Sequence, residues 1–211
     1  MSYNLEELSQ ALQTGRVPAV KEQIQKALEA GVDPQEILQE GLLAGMGVIG
    51  EKFKQNKVYI PEVMLAARAM NTGLELLKPL LAGQAAQEKG TVVIGTVKGD
   101  RHDIGKNLCK MMLEGKGLKV IDLGVDVPAA KYLDAAQQHG AAVICCSALL
   151  TTTMGEMRTV VQLVQQSPLA GKVRVMVGGA PVSQAFCDEI GADRYTADAA
   201  TCAEVALSLC S

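Results

Sequence analysis

Two histidines occur in the chain, and one of them stands between acids, in Lys98-Gly99-Asp100-Arg101-His102-Asp103. A neutral imidazole nitrogen is a good ligand for borderline transition metals. A carboxylate on its other nitrogen fixes the ring and raises its basicity. Asp100 lies two residues before His102 and Asp103 directly after it, so either could play that part. With a hydroxyl added, the same residue types could serve nucleophilic catalysis. Two more polar clusters follow. One is the hydroxyl run Ser147-Ala148-Leu149-Leu150-Thr151-Thr152-Thr153, and the other is Gly178-Gly179-Ala180-Pro181.

These clusters share a position in the pattern. From Thr91 onward, apolar runs alternate with amphipathic segments. Val92-Val93-Ile94, Leu118 to Leu123, Ala141 to Cys146 and Val173 to Val177 read as strands, with a weak fifth at Asp193-Arg194-Tyr195. Helical spacing covers Ile104 to Glu114, Ala129 to Gln138, Met154 to Gln166, Ser183 to Ile190 and Ala199 to Leu209. Wholly apolar strands alternating with helices predict a parallel sheet covered on both faces. Ligands then bind outside the carboxyl ends of the strands. The His102, Ser147 and Gly178 clusters all follow strands, so one sheet edge collects all three.

The first ~85 residues keep only the helical period of three and four. Leu5, Leu8 and Leu12 form one stripe, and Val17, Val20, Ile24, Ala27 and Leu28 a second. Asp33-Pro34 is an N-cap followed by proline at the first helical position, opening a segment that runs to Phe53. Pro61 opens a fourth, with Val63, Met64, Ala67, Met70, Leu74 and Leu77. Four helices with short links predict a bundle. The small and polar stretch Ala82 to Gly90 reads as a linker. The expected class is therefore α plus α/β: a four-helix bundle over 1–85, then a Rossmann-like, flavodoxin-like five-stranded parallel sheet over 86–211.

Composition narrows the function. The chain has 211 residues, 3% aromatics and no Trp, so its core is aliphatic. A net charge of −3 without a basic tract disfavours nucleic acid. No apolar run approaches the ~20 residues of a membrane span. The start, MSYNLEELSQ, lacks the basic and apolar regions of a signal peptide. The six cysteines form no C-x-x-C pair and have no histidine at zinc-like spacing. Reduced thiols in a cytoplasmic protein are expected. His139, before Gly140 at a helix end, is expected to have no role.

Several chemistries compete at the His102 edge. The turn is neither G-x-G-x-x-G nor a Walker A loop, and its two acids would repel a phosphate. An acidic pocket of response-regulator type would leave His102 unexplained. Ser147 is not in a G-x-S-x-G elbow, which weakens a hydrolase. One histidine is too few to hold a bare metal ion. It suffices as a single axial ligand to a metal already held in a macrocycle.

The residues then match a known family. Asp100-Arg101-His102-Asp103-Ile104-Gly105 resembles the D-x-H-x-x-G signature of cobalamin-binding domains. Ser147-Ala148-Leu149 resembles their S-x-L element and Gly178-Gly179 their G-G element, in the same order. GEKFKQNKVYIPEVMLAARAM, Gly50 to Met70, is similar to the helical cap region of methionine synthase and of the small corrinoid proteins of methyltransferase systems. The resemblance covers nearly the whole chain.

It implies that His102 is the lower axial ligand to cobalt, with the cofactor's own base displaced and its tail buried in the sheet. Asp100 would bond the distal nitrogen of His102, and Thr153 would extend that relay where methionine synthase has a serine. Ser147 and Thr151 would contact the tail, Leu149 would be among the cofactor-binding residues, Gly178 and Gly179 would make room for the tail, and Tyr195 and Ala197 would lie near where the pocket closes. In the cap, Tyr59, Met64 or Met70 would line the methyl-bearing face. The implied function is a methyl carrier holding cobalamin or a related corrinoid as methylcobalamin or hydroxocobalamin. A substrate:corrinoid methyltransferase would load it. A second methyltransferase, acting on tetrahydrofolate or coenzyme M, would unload it, and a reductive activase would maintain it. The chain has no room for a substrate-binding barrel of roughly 250 residues. Two other readings stay open: the cobalamin-binding subunit of an adenosylcobalamin mutase, and a cobalamin-dependent sensor.

Overall fold

A computed structural model describes residues 4–81 and 89–210. The expected boundary at 85/86, and residues 82–88 of the expected linker, lie outside the described residues. The chain divides into a helical unit, holding every element before the first strand, and an α/β unit of Lys89–Glu114 and Leu118–Ser211.

The helical unit contains α1 (Glu6–Gln13), α2 (Val17–Glu29), α3 (Pro34–Glu36), a π-helical stretch (Ile37–Leu43), α4 (Ala44–Lys54) and α5 (Ile60–Leu81). The Asp33 cap is made as expected: its Oδ1 accepts from the Gln35 backbone N–H at 2.7 Å. The segment expected as one regular helix from Asp33 to Phe53 is instead widened over Ile37–Leu43. Ile37, Leu38 and Leu42 remain buried through the widened turn. Their spacing suits both hydrogen-bond patterns, so apolar period could not distinguish them.

The α/β unit alternates without exception: β1 (Thr91–Thr96), α6 (Ile104–Gly115), β2 (Lys119–Asp122), α7 (Ala129–His139), β3 (Val143–Ser147), α8 (Gly155–Gln165), β4 (Arg174–Gly178), α9 (Gln184–Ile190), β5 (Arg194–Tyr195) and α10 (Ala199–Leu209). All strand pairs are parallel, in the order β2-β1-β3-β4-β5. Helix ends use chemistry visible in the sequence. Ser183 and Asp198 accept from the N–H groups of Phe186 and Thr201, and Gly140 and Gly191 end α7 and α9 in left-handed conformation.

That strand order is the flavodoxin-like one, and its switch point lies between β1 and β3. Chain leaving β1 turns one way to β2, and chain leaving β3 turns the other way to β4. The loops after β1 and β3 therefore open a crevice. Register places Thr96 beside Ser147 and Ser147 beside Gly178, a polar row across three strand ends. On the opposite face, Val93, Ile144, Cys146, Val175 and Val177 pack with Tyr132, Met157, Val160, Val161 and Val164 from α7 and α8.

Tyr132 is the largest side chain in that core and is wholly buried. Among the described residues its hydroxyl has no hydrogen-bond partner. Burial pushes its pKa far up, so it stays neutral. A buried hydroxyl without a partner is destabilising. Tyr132→Phe is therefore expected to raise stability by about 1 kcal/mol. Urea unfolding should show a higher midpoint at unchanged slope. A lowered midpoint would show the hydroxyl to be paired in solution.

Candidate functional site

The site is built on Asp100, which is completely buried. Its Oδ1 lies 2.7 Å from Nδ1 of His102 and accepts from the His102 backbone N–H at 3.1 Å. Its Oδ2 accepts from the backbone N–H groups of Leu149 at 2.8 Å and Leu150 at 3.2 Å. The Thr153 hydroxyl is 2.9 Å from the same oxygen and also 2.9 Å from the Leu150 carbonyl. One hydroxyl proton serves one acceptor, and an ionised carboxylate is the stronger. Asp100 thus ties the loop after β1 to the loop after β3.

Electrostatics follow from these contacts. Burial alone would raise the Asp100 pKa. The backbone N–H of Leu149, the His102 ring, and the backbone N–H groups of His102 and Leu150 outweigh it. The carboxyl is held far below its ordinary value. An ionised Asp100 accepts a hydrogen bond from His102 Nδ1–H, which leaves the Nε2 lone pair available. The His102 side chain is 50% exposed, so Nε2 is reachable from outside.

The other expected residues divide into groups. Asp103 is not a second partner of the ring; its carboxylate accepts from the Asn107 side chain at 3.1 Å on α6. Arg101 and Ile104 are exposed. Leu149 contributes its backbone N–H to Asp100, while its side chain is exposed. Thr151 is exposed beside buried Thr153. Gly179 has φ +135, and a Cβ there would lie 1.9 Å from the Ala148 carbonyl oxygen, so the packing of the two loops itself demands glycine. Tyr195 is not brought to the polar row: it packs against the core on the α7–α8 face. Ala197 is exposed. In the helical unit, Tyr59 and Met64 are exposed and Met70 is buried.

Sequence reasoning missed three contributors. Thr96, fully buried, donates its hydroxyl to the His102 carbonyl at 2.8 Å. Leu150 supplies a second backbone donor to Asp100. Buried Thr196 places its carbonyl 3.2 Å from where a Gly178 Cβ would stand. Thr96 alone carried a signal, as a hydroxyl ending an apolar strand.

Comparison with known proteins resolves what such a site belongs to. A family model described as B12 binding domain matches residues 90–206, and a second of the same description matches 4–78. This chain is a member of the B12-binding corrinoid protein family. Dimethylamine corrinoid protein 1 of Methanosarcina acetivorans is 43% identical, over 92% of this chain and 92% of its own. Trimethylamine corrinoid protein 1 of Methanosarcina mazei is 45% identical, over 81% of this chain and 80% of its own. A crystal structure of the methanol:cobalamin methyltransferase complex from Methanosarcina barkeri matches with a TM-score of 0.90 at 33% identity. That match covers 98% of this chain and 79% of the other. No helix among the described residues is long and apolar enough to cross a membrane.

The residues of this corrinoid protein fit the group its family binds. Four large hydrophobic side chains of the α/β unit are exposed among the described residues: Ile104 at 69%, Leu149 at 45%, Leu150 at 41% and Val125 at 37%. All four lie in loops or a helix start at the carboxyl edge of the sheet, where His102 is. An apolar rim around one available imidazole suits a flat macrocycle with a metal at its centre. Gly105, in the first turn of α6, adds to the fit. A Cβ there meets no protein atom within 4 Å, so nothing in the chain's own packing calls for glycine.

Because Asp100 is ionised far below the usual carboxylate range, its stabilisation is fully present above about pH 4 and fades as pH falls toward the folded-state value. Asp100→Asn removes this titration. The cofactor-free variant is expected to be less stable at neutral pH, yet to lose less stability than wild type between about pH 5 and about pH 3. Urea unfolding at both values measures it, and identical pH dependence would remove Asp100 from the account.

Proposed function

We propose that this corrinoid protein is the methyl carrier of a methyltransferase system acting on a methylated amine, with His102 Nε2 as the lower axial ligand to cobalt. One observation carries the reading: a single exposed imidazole, locked by a buried carboxylate, stands in an apolar rim at the sheet's switch point. The names of the relatives, dimethylamine and trimethylamine corrinoid proteins, favour an amine as donor. When bound, the corrinoid supplies a metal that takes up and gives back a methyl group.

The chain's own residues do the rest. Asp100 holds the proton on Nδ1 and so keeps Nε2 a ligand. Thr153 steadies that carboxylate and sets how readily the Nδ1 proton can shift. Ser147, Thr151, Gly178 and Gly179 would receive the displaced nucleotide tail, while buried Thr96 keeps its hydroxyl on the His102 carbonyl. Gly105 lets the corrin edge approach the start of α6. Arg101, Ile104, Leu149 and Leu150, all exposed, would help hold the corrin. The partners are a substrate-specific methyltransferase, which loads the carrier, and a second one, which unloads it to tetrahydrofolate or coenzyme M. A reductive activase restores the carrier when cobalt is over-oxidised.

Reconstitution with hydroxocobalamin tests the assignment. Wild type is expected to retain about one equivalent of cobalt through gel filtration, and His102→Ala to lose the imidazole-ligated spectrum while keeping part of the cofactor through its many other contacts. A protein that stays colourless would end the proposal. With the cofactor bound, methyl transfer from mono-, di- and trimethylamine, each with its own methyltransferase, should proceed for one amine in preference to methanol.

Gly105→Ala separates folding from binding. Alanine in place of helical glycine is expected to stabilise the cofactor-free chain by up to about 1 kcal/mol. The same change is expected to weaken hydroxocobalamin binding. Unchanged affinity, measured by titration of the visible spectrum, would show that the corrin does not approach this turn.

A further inference from the structure

The loop between β2 and α7 has no part in the family signature, yet it bonds the backbone of β1 and of the turn that follows it. Beyond the end of β2, Leu123 donates its N–H to the Ile94 carbonyl at 2.8 Å. Gly124 accepts from Thr96 N–H at 3.0 Å, and Val127 donates to the Thr96 carbonyl at 3.0 Å. Val127 also bridges in parallel with Val97. The β1 ladder thus continues past the strand's end.

Asp126 completes this grip where the Asp100 turn begins. Its backbone N–H donates to the Asp100 carbonyl at 2.8 Å, and its Oδ1 accepts from Gly99 N–H at 2.7 Å. To do both it adopts φ +55, a conformation found at only one other non-glycine position among the described residues, Asn56. A non-glycine residue held there is strained unless its surroundings over-determine it, and such strain gathers at functional sites. One residue therefore fixes both the backbone N–H of Gly99 and the carbonyl of Asp100. Thr96 fixes the other end of the turn at the His102 carbonyl. The buttress is anchored in turn. Gly124 N–H donates to Asp122 Oδ1 at 2.9 Å, and Asp122 is paired through both oxygens with buried Lys106 of α6 at 2.7 and 2.8 Å.

We propose that Asp126 is a positioning residue that holds the Asp100–His102 pair in its cobalt-ligating geometry through its bonds to Gly99 and Asp100, without touching the cofactor. The inference rests on His102 being the axial ligand. A metal-ligating imidazole misplaced by a fraction of an ångström still lies near the metal but bonds it less well.

Three variants separate backbone strain from the side-chain bond. Asp126→Gly accommodates φ +55 freely and loses only the acceptor for Gly99. Asp126→Ala loses the acceptor and keeps the strain. Asp126→Asn keeps an acceptor of the same shape. Each, with wild type and His102→Ala, is loaded with cobinamide, a corrinoid lacking the nucleotide tail, and reduced to cobalt(II). With the histidines labelled by ¹⁵N, the nitrogen splitting of the paramagnetic resonance spectrum reports imidazole ligation directly. Wild type should show the ¹⁵N splitting and His102→Ala should not. In Asp126→Gly and Asp126→Ala the ratio of ligated to unligated cobalt is expected to fall about tenfold. Asp126→Asn should stay close to wild type. In the cofactor-free chain, the downfield Nδ1–H proton resonance of His102 should broaden in the Gly and Ala variants. That second reading needs no cofactor and also confirms folding.

Wild-type ligation in Asp126→Gly would overturn the proposal while leaving His102 as ligand. Equal losses in Asp126→Asn and Asp126→Gly would overturn the Gly99 bond as the cause. A wild-type spectrum identical to that of His102→Ala would instead remove the axial assignment itself, and the inference with it.

Discussion

A carboxylate with no exposure is the constraint on which the α/β unit depends. Taking an ion such as that of Asp100 out of water costs several kcal/mol unless its lone pairs are filled. The donors cannot come from the Asp100 loop alone, because a short turn offers only His102 N–H and the His102 ring. The others, Leu149 N–H, Leu150 N–H and the Thr153 hydroxyl, come from a segment some fifty positions away. A buried charge therefore requires two loops to be held together, and the polar pair specifies their register more sharply than apolar contact would.

Only some sheets permit this. Parallel strands put every β-to-α loop on one edge, but neighbouring loops are adjacent only if their strands are. Here β1 and β3 are paired and their connections leave in opposite directions, so the two loops face each other across an open crevice. The glycine at 179 belongs to the same requirement, since the Ala148 carbonyl occupies the space that any side chain would need. Thus the S-x-L and G-G elements serve the protein's own packing as well as whatever enters the crevice.

Much of this was legible in residue types. The switch of period from 3.6 to alternating strands and helices gave the fold class, because each element buries one face and its pattern must show it. The Asp100-to-Gly105 run marked the candidate site, and the structure pairs Asp100 with the His102 ring there. What stayed hidden was carried by backbone groups or by distant partners. Nothing in the type of Leu150 announces that its N–H serves Asp100. By residue type alone Asp103 could have served as well as Asp100; the family resemblance chose Asp100, and the structure shows Asp103 engaged by Asn107 of α6 instead. Tyr195 looked like a pocket residue, but in so short a strand its alternation could not be read, and it points to the other face. The π-helical turn at Ile37–Leu43 was invisible because its buried residues satisfy both helical spacings.

The same geometry explains why so much apolar surface is left in water. Ile104, Val125, Leu149 and Leu150 expose side chains that a monomeric domain would ordinarily bury. Their positions are not free to change. Leu149 is bound to follow Ser147 by two residues because its N–H must reach Asp100, and Ile104 must open α6 two residues after His102. Carriers of a large flat group need such a rim, since burying apolar area contributes on the order of 25 cal/mol per Å² irrespective of direction. The carboxylate of Asp100 adds direction, because it fixes the orientation of one imidazole. Affinity and orientation are in this way assigned to different atoms of the same sheet edge.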